Sequence, residues 1–253
     1  MFPIERHQQI MNILNNKKSV TVEDLSKTLF IGEATIRRDL EKLEKKNLLK
    51  RTYGGAVLLE GLDIEIPLSV REIDQKSEKN SIGYLAAQLV HDGDIIIIDS
   101  SSTALKMVPH LKGRENLTVI TNGAKTILEL GELSNIKIYS TGGMLRENSL
   151  SFIGQLARNS ILDFYVDKVF FSCRALSVEK ALTDSNEEEA ELRRIMIQNS
   201  RRSVLVCDHT KFDKISFCKV VDFNKIQTIV TDKIPPSRWV DFLSNQNVEL
   251  IYP

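Results

Sequence analysis

The stretch Thr35–Val57, TIRRDLEKLEKKNLLKRTYGGAV, decides how the chain begins. Ile36, Leu40 and Leu43 recur at helical spacing, so a helix over Glu33–Lys46 turns them inward. Thr35, Arg37, Arg38, Lys42 and Lys45 then fall on the other faces. Thr35 and the arginine pair lie near the helix N-terminus, the end a recognition helix inserts into a major groove. Arginine can bond both acceptors of a guanine edge, and it also neutralises phosphate. Beyond the helix, Leu48–Leu59 reads as two strands around Gly54-Gly55, a wing that presents Lys50, Arg51 and Tyr53. An arginine pair alone is usually a solvated helix face. The order of helices, break and basic hairpin is what points to nucleic acid.

Two helical patterns come before it. Ile10, Ile13 and Leu14 form one apolar stripe. Thr21 is placed to cap a second helix, with Asp24 in its first turn and Leu25 and Leu29 inward. Phe30-Ile31-Gly32 is a tight break before the third helix. These elements make a module over 1–57. A connector over 58–75 carries LDIEIPLSVRE, and 76–253 forms a second domain.

Charge agrees with this division. Lys plus Arg and Asp plus Glu both number 34, a neutral total that argues against a nucleic-acid binder. Residues 1–57, however, hold eleven Lys and Arg against seven Asp and Glu, and the deficit lies in the remainder. The zero hides a basic arm on an acidic partner. A surplus of four per arm implies weak non-specific binding by one arm and several arms acting together. The longest aliphatic run, Ile95–Ile98, is far too short to span a bilayer, and MFPIERHQQI lacks the pattern of a secretory leader. Cys173, Cys207 and Cys218 form no CxxC pair, which fits thiols in a reducing cytoplasm better than a disulfide or zinc site. No metal or cofactor is expected.

From Ser77 the pattern alternates helix and strand. Strands are expected at Ile95–Asp99, Leu117–Thr121, Ile136–Thr141, Lys168–Ser172, Val204–Asp208, Gln227–Thr231 and Val248–Tyr252. Between them lie amphipathic stretches such as Ile82–Val90, Ala124–Leu133 and Ala190–Ser200. That alternation indicates a mostly parallel, Rossmann-like α/β sheet covered on both faces. Ligands of such sheets bind at the carboxyl ends of the strands. Here those ends read Asp99-Ser100-Ser101-Ser102-Thr103, Thr121-Asn122-Gly123, Thr141-Gly142-Gly143, Ser172-Cys173-Arg174 and Asp208-His209-Thr210-Lys211. Hydroxyls, glycines and two cations suit a small anionic ligand. The Ser100–Thr103 turn, with a helix starting near Thr103, suits a phosphate, and Lys211 and Arg174 are further partners for it.

Thr35–Val57 resembles the signature of the DeoR family of bacterial transcription regulators, with T-I-R-R-D-L and G-G-A both in register. The resemblance implies a winged helix-turn-helix, with Thr35, Arg37 and Arg38 on the base-reading helix and Gly54 in the wing. Gly32 stands where the family usually has a capping Ser, and Asp39 is read as structural. Residues 75–232 resemble the family's sensor domain through GDIIIIDSSST, VITNG, STGGMLRENSLSFIG, ALTDSNEEEAELRRIMI and VLVCDHTKFDK. That likeness implies a fold related to ribose-5-phosphate isomerases and glucosamine-phosphate deaminases, and effectors that are phosphorylated sugars or related metabolites. It places Asp99, Ser101, Ser102, Thr103, Asn122 and Lys211 at effector positions; Ser100, Thr121, Gly143 and Arg174 join them from the strand-end pattern. The common D-S-G-T-T is D-S-S-S-T here, and Arg174 stands where the family often has an acid.

The expected protein is therefore a non-enzymatic, cytoplasmic regulator that binds double-stranded operator DNA as a dimer or tetramer. It is expected to repress a carbohydrate operon until a sugar phosphate releases it. The alternative is a sugar-phosphate isomerase or deaminase carrying a DNA-binding arm, with its base among Asp184, Glu187, Glu188 and Glu189. Acids at the start of an apolar-periodic helix are more simply dipole-compatible residues.

Overall fold

The computed structural model describes residues 2–46, 48–58 and 65–253, which divide into two compact units meeting at Asp74 and Gln75. Residues 59–64 of the expected connector, and Leu59 at the end of the expected hairpin, lie outside the described residues.

In the first unit, α1 (Pro3–Lys17) leads into β1 (Ser19–Thr21), α2 (Val22–Leu29), α3 (Glu33–Lys45), β2 (Leu49–Thr52) and β3 (Gly55–Leu58). The Thr21 hydroxyl accepts from Asp24 N–H at 3.0 Å and caps α2. Phe30 takes a left-handed conformation, φ 55°, and ends that helix. Ile10, Leu14, Leu25, Ile36, Leu40 and Leu43 fill one core. The sheet order is β1-β3-β2, so the hairpin carries a third strand that the sequence reading missed. That strand explains Gly55. A Cβ at Gly55 would stand 2.1 Å from the Val20 carbonyl oxygen, closer than any contact allows. Gly55→Ala is expected to push β1 off β3 and lower the melting temperature of the first unit by several degrees. Calorimetry of the full chain reads the shift, and an unchanged transition would refute the close approach.

Residues 65–74, read from sequence as connector, belong to this unit. They hold the single turn α4 (Leu68–Arg71), Leu68 is buried, and Ile66 and Val70 pack on the first core. The Gln8 amide donates to the Ile73 carbonyl at 3.2 Å.

The second unit runs α5 (Lys76–Ala87), β4 (Ile95–Ile98), α6 (Ser102–Leu105), β5 (Leu117–Thr121), α7 (Ala124–Gly131) and β6 (Ile136–Ser140). A hairpin of β7 (Met144–Arg146) and β8 (Ser151–Ile153) follows, then α8 (Gln155–Leu162) and β9 (Val166–Phe171). The chain continues through β10 (Ala175–Ser177), β11 (Ala181–Asp184), α9 (Glu187–Gln198), β12 (Ser200–Val206), β13 (Cys218–Lys219), β14 (Thr228–Val230), α10 (Ser237–Asn245) and β15 (Glu249–Ile251). The seven aliphatic runs form one sheet of order β15-β14-β12-β9-β4-β5-β6, with every pair parallel.

Alternate residues of each strand feed opposite cores. Ile97, Val169, Phe171 and Leu205 pack with Ala157, Leu192, Met196 and Trp239, whereas Ile96, Ile98, Phe170 and Val204 pack with Ile82, Ala86, Ala104 and Leu130. From β4 the chain first builds outward through β5 and β6. It then returns to the other side of β4 as β9 and builds through β12. The reversal falls between β4 and β9, where open α/β sheets form their ligand crevice. A second sheet, β10-β11-β13, is antiparallel.

Candidate functional site

The first unit offers an exposed basic surface. On α3, Arg37, Arg38 and Lys42 are exposed and Thr35 is half-buried. Arg37 pairs with Glu33 at 2.7 Å across one turn, an exposed contact that contributes little and yields readily to a phosphate. Gly32 cannot cap with a side chain, and its carbonyl accepts from Thr35 and Ile36 N–H instead. Lys50, Arg51, Tyr53 and Gly54 are exposed on the wing, where Gly54 has φ 89°. The Arg51 N–H donates to Glu44 Oε1 at 2.8 Å, which joins the wing to α3.

Asp39 faces inward. It receives Arg6 from α1 through a short Nε contact and an Nη2 bond at 3.2 Å, and its Oδ1 lies 2.9 Å from His7 Nε2. Burial alone would raise its carboxyl, but the hydrogen bonds from Arg6 and then His7 outweigh that and hold it below its ordinary value.

The second unit gathers most of the expected effector residues at the β4–β9 reversal. Ser100, Ser101, Ser102 and Thr103 follow β4, Thr121 and Asn122 end β5, and all are buried. The Asn122 amide donates to Ser100 Oγ at 3.4 Å. The expected helix after Thr103 is the single turn α6, which starts at Ser102 and is capped by Ser101 Oγ accepting from Ala104 N–H. One turn sums few peptide dipoles, so hydroxyls and side-chain cations must supply more of any anion binding than the sequence suggested.

Asp99 is a scaffold residue. Its oxygens accept from Ser101 N–H at 3.0 Å, Ser172 N–H at 3.3 Å and Arg193 Nε at 2.8 Å, tying the β4 and β9 loops together. Arg193 was not among the expected site residues. It is buried on α9, and it also donates to Asp184 at 2.8 Å and Glu189 at 3.4 Å. Burial works against its charge, yet Asp184, Asp99 and Glu189 more than offset this and raise its pKa. Glu189 in turn accepts from Ser151 Oγ at 2.7 Å and meets Arg146 at 3.3 Å.

At the end of β12, Asp208 caps the turn His209–Lys211. Burial raises the Asp208 carboxyl, but the Lys211 charge, Thr210 and the Lys79 charge bring it below its ordinary value. Lys79 is a second missed cation, buried on α5. Its signal was present, because Lys79, Ile82, Gly83 and Ala86 share helical spacing and are all buried. His209 is clamped by Asp232, which accepts from its backbone N–H at 2.7 Å and faces its Nδ1 at 2.7 Å. Burial pushes the Cys173 thiol up to about 12, and Asp184 adds to this.

Two further expected residues have backbone contacts of their own. Arg174 is half-buried, and its N–H donates to the Thr183 carbonyl at 3.1 Å, at the start of β10. Gly143, φ 110°, follows the edge strand β6, and a Cβ there would stand 2.4 Å from the Ile153 carbonyl. Its closeness to Ile153 and Ala157 explains the glycine by packing.

Comparison with known proteins bears on both units. Residues 6–61 match the DeoR-like helix-turn-helix domain, and residues 74–233 match the DeoR C terminal sensor domain. The chain is 42% identical over 232 residues to the uncharacterized HTH-type transcriptional regulator YulB of Bacillus subtilis, covering 92% of this chain and 90% of that one. It is 34% identical over 251 residues to the HTH-type transcriptional repressor GlcR of the same species, covering 99% and 96%. It is 31% identical over 249 residues to the putative aga operon transcriptional repressor of Escherichia coli O157:H7, covering 98% and 93%. Among solved structures, the ribose 5-phosphate isomerase A of Methanocaldococcus jannaschii aligns over 55% of each chain at 16% identity, with a TM-score of 0.41. That likeness is too loose to bear on activity. No helix among the described residues is long and apolar enough to cross a membrane. With a helix-turn-helix unit, a matching sensor unit and relatives that are transcription regulators along nearly their whole length, the chain belongs to the DeoR family of DNA-binding transcription regulators.

Proposed function

We propose that the protein represses a carbohydrate-metabolism operon and releases its operator when a phosphorylated sugar or related metabolite occupies the β4–β9 crevice. The observation that carries this reading is the pairing of an exposed basic helix and wing in one unit with a buried, hydroxyl-lined strand-end site in the other, where Lys79 and Lys211 act on Asp208 after β12. The names of the relatives GlcR and the putative aga operon repressor support repression. In this reading the protein acts in the cytoplasm as a dimer or tetramer, which places two or more α3 helices on repeated half-sites. The ligand moves the DNA equilibrium only by favouring one arrangement through differential affinity.

The four carboxylates considered for the isomerase or deaminase reading are not poised as a base. Asp184 and Glu189 are bound by Arg193, and Glu187 and Glu188 are exposed in the first turn of α9.

The test is a gel shift of the full chain on DNA from its own upstream region, with and without a panel of sugar phosphates. Wild type is expected to bind and to be released by at least one of them. Lys211→Met is expected to bind DNA as before and to lose that release, because the cation with the larger effect on Asp208 is gone. A variant released at wild-type concentrations would move the phosphate site elsewhere.

A further inference from the structure

Phe30 joins α2 to α3, and it is unfavourable there twice over. Its φ of 55° lies in the left-handed region, where a Cβ crowds the following carbonyl and which glycine or asparagine takes at least cost. The turn holds it there. Phe30 N–H and Ile31 N–H both donate to the Ser26 carbonyl, Ser26 Oγ donates to the Ile31 carbonyl at 2.7 Å, and Ile31 packs on the first core. The ring meanwhile is 93% exposed, so burial does not repay the strain. A strained residue that its surroundings hold in place points to a use outside the fold. Its neighbours say which. Two residues on, Gly32 caps α3, whose exposed Arg37 and Arg38 head the basic surface. The wing that follows α3 carries Tyr53, and among the described residues no large apolar side chain is more exposed than these two rings. Lys27, in the last turn of α2, is exposed as well. Cations before and after the ring suit a polyanion better than an apolar protein face.

We propose that Phe30 is a DNA-contact residue whose ring packs on the deoxyribose carbons of the backbone at the rim of the major groove. In a helix-turn-helix the first helix crosses the backbone and the second enters the groove, so the turn between them passes that rim. The rim presents phosphate oxygens and, between them, the carbon faces of the sugars. Lysine and arginine answer the first, and an apolar ring answers the second. Every nucleotide carries the same sugar, so the contact adds affinity without reading sequence. It exchanges no charge, so it releases no counterions and leaves the salt dependence of binding unchanged. An arm whose basic residues exceed its acids by only eleven to seven gains most from such an uncharged contribution.

The experiment is fluorescence anisotropy of the full chain on two labelled duplexes of equal length, one from its own upstream region and one of unrelated sequence. The titrations start at low salt, where duplex binding needs no operator, and are repeated as salt rises. Phe30→Asn is expected to bind both duplexes about tenfold more weakly, with the slope of log affinity against log salt as in wild type. Lys42→Ala is the contrast, expected to lower that slope by about one. Phe30→Tyr keeps the ring and is expected to stay within about twofold of wild type. The melting temperature of Phe30→Asn is expected to equal or exceed that of wild type, since asparagine suits the left-handed turn. Undiminished affinity in Phe30→Asn, a reduced salt slope, or an equal loss in Phe30→Tyr each overturns the proposal. A lower melting temperature also overturns it, because Phe30 would then support the turn. A loss confined to the upstream duplex replaces the sugar contact with a base contact and overturns it likewise.

Discussion

Arg193→Met is expected to destabilise the second unit by about 3–5 kcal/mol, the size of loss seen when one member of a buried ion pair is removed. The substitution keeps length and removes charge. It takes away the guanidinium that bridges the buried Asp99, Asp184 and Glu189, while Glu189 keeps Arg146 at 3.3 Å. Negative charges left close together in a medium of low polarity repel, which adds to the loss. Trp239, the single tryptophan, lies in the same core as Leu192 and Met196 and reports the transition by fluorescence during denaturant unfolding. A midpoint equal to wild type at pH 7 would show that the network contributes nothing. The variant is also expected to lose its ligand response, because Asp99 no longer holds Ser101 and Ser172 in place.

Asp39→Asn is expected to weaken the first unit by a similar amount, about 3–5 kcal/mol. Asp39 is 2% exposed and stands on α3 directly after Arg37 and Arg38, so the residue that anchors the recognition helix to α1 adjoins those expected to read DNA. Without its charge, Arg6 is left with a neutral partner in a nearly closed site. A unit this small has total stability of only about 5–15 kcal/mol, and operator binding is expected to fall with it. The sign of the pH dependence follows from the lowered carboxyl. Its contribution is fully present above the ordinary aspartate value near 4 and is lost as pH falls through the lower folded value. Wild type should therefore lose first-unit stability on acidification below about pH 4, and Asp39→Asn should lose much less over that range. Far-UV circular dichroism of the two proteins against pH reads the difference, and parallel curves would refute the assignment.

The seven sheet strands were legible because each carries closely spaced β-branched or aliphatic residues between helical patterns, and the winged unit was legible because its helices carry clean apolar stripes. What was hidden has a common cause. β1, β7, β8 and β10 are three residues long, too short to show alternation. Arg193 is one of two adjacent arginines on α9, and nothing in the local pattern marks it. Only the folded chain brings Asp99, 94 positions away, against it. Arg6 and Asp39 are likewise 33 positions apart. Lys79 differs, since its spacing with Ile82, Gly83 and Ala86 did carry the information. The pocket turns themselves were visible as polar strand ends, but their packing, such as the close approach of Gly143 to the Ile153 carbonyl, was not.

The reversal of chain direction beside β4 has an evolutionary consequence. The residues proposed to meet a ligand hang from the ends of strands whose own side chains face the two cores, and one carboxylate and one guanidinium, Asp99 and Arg193, pin those loops. Substitutions within the turn, at Ser102 for example, are expected to leave the layers beneath undisturbed. A lineage built on this frame can change the metabolite it answers to by altering a handful of loop positions, while its folding and its grip on DNA are inherited intact.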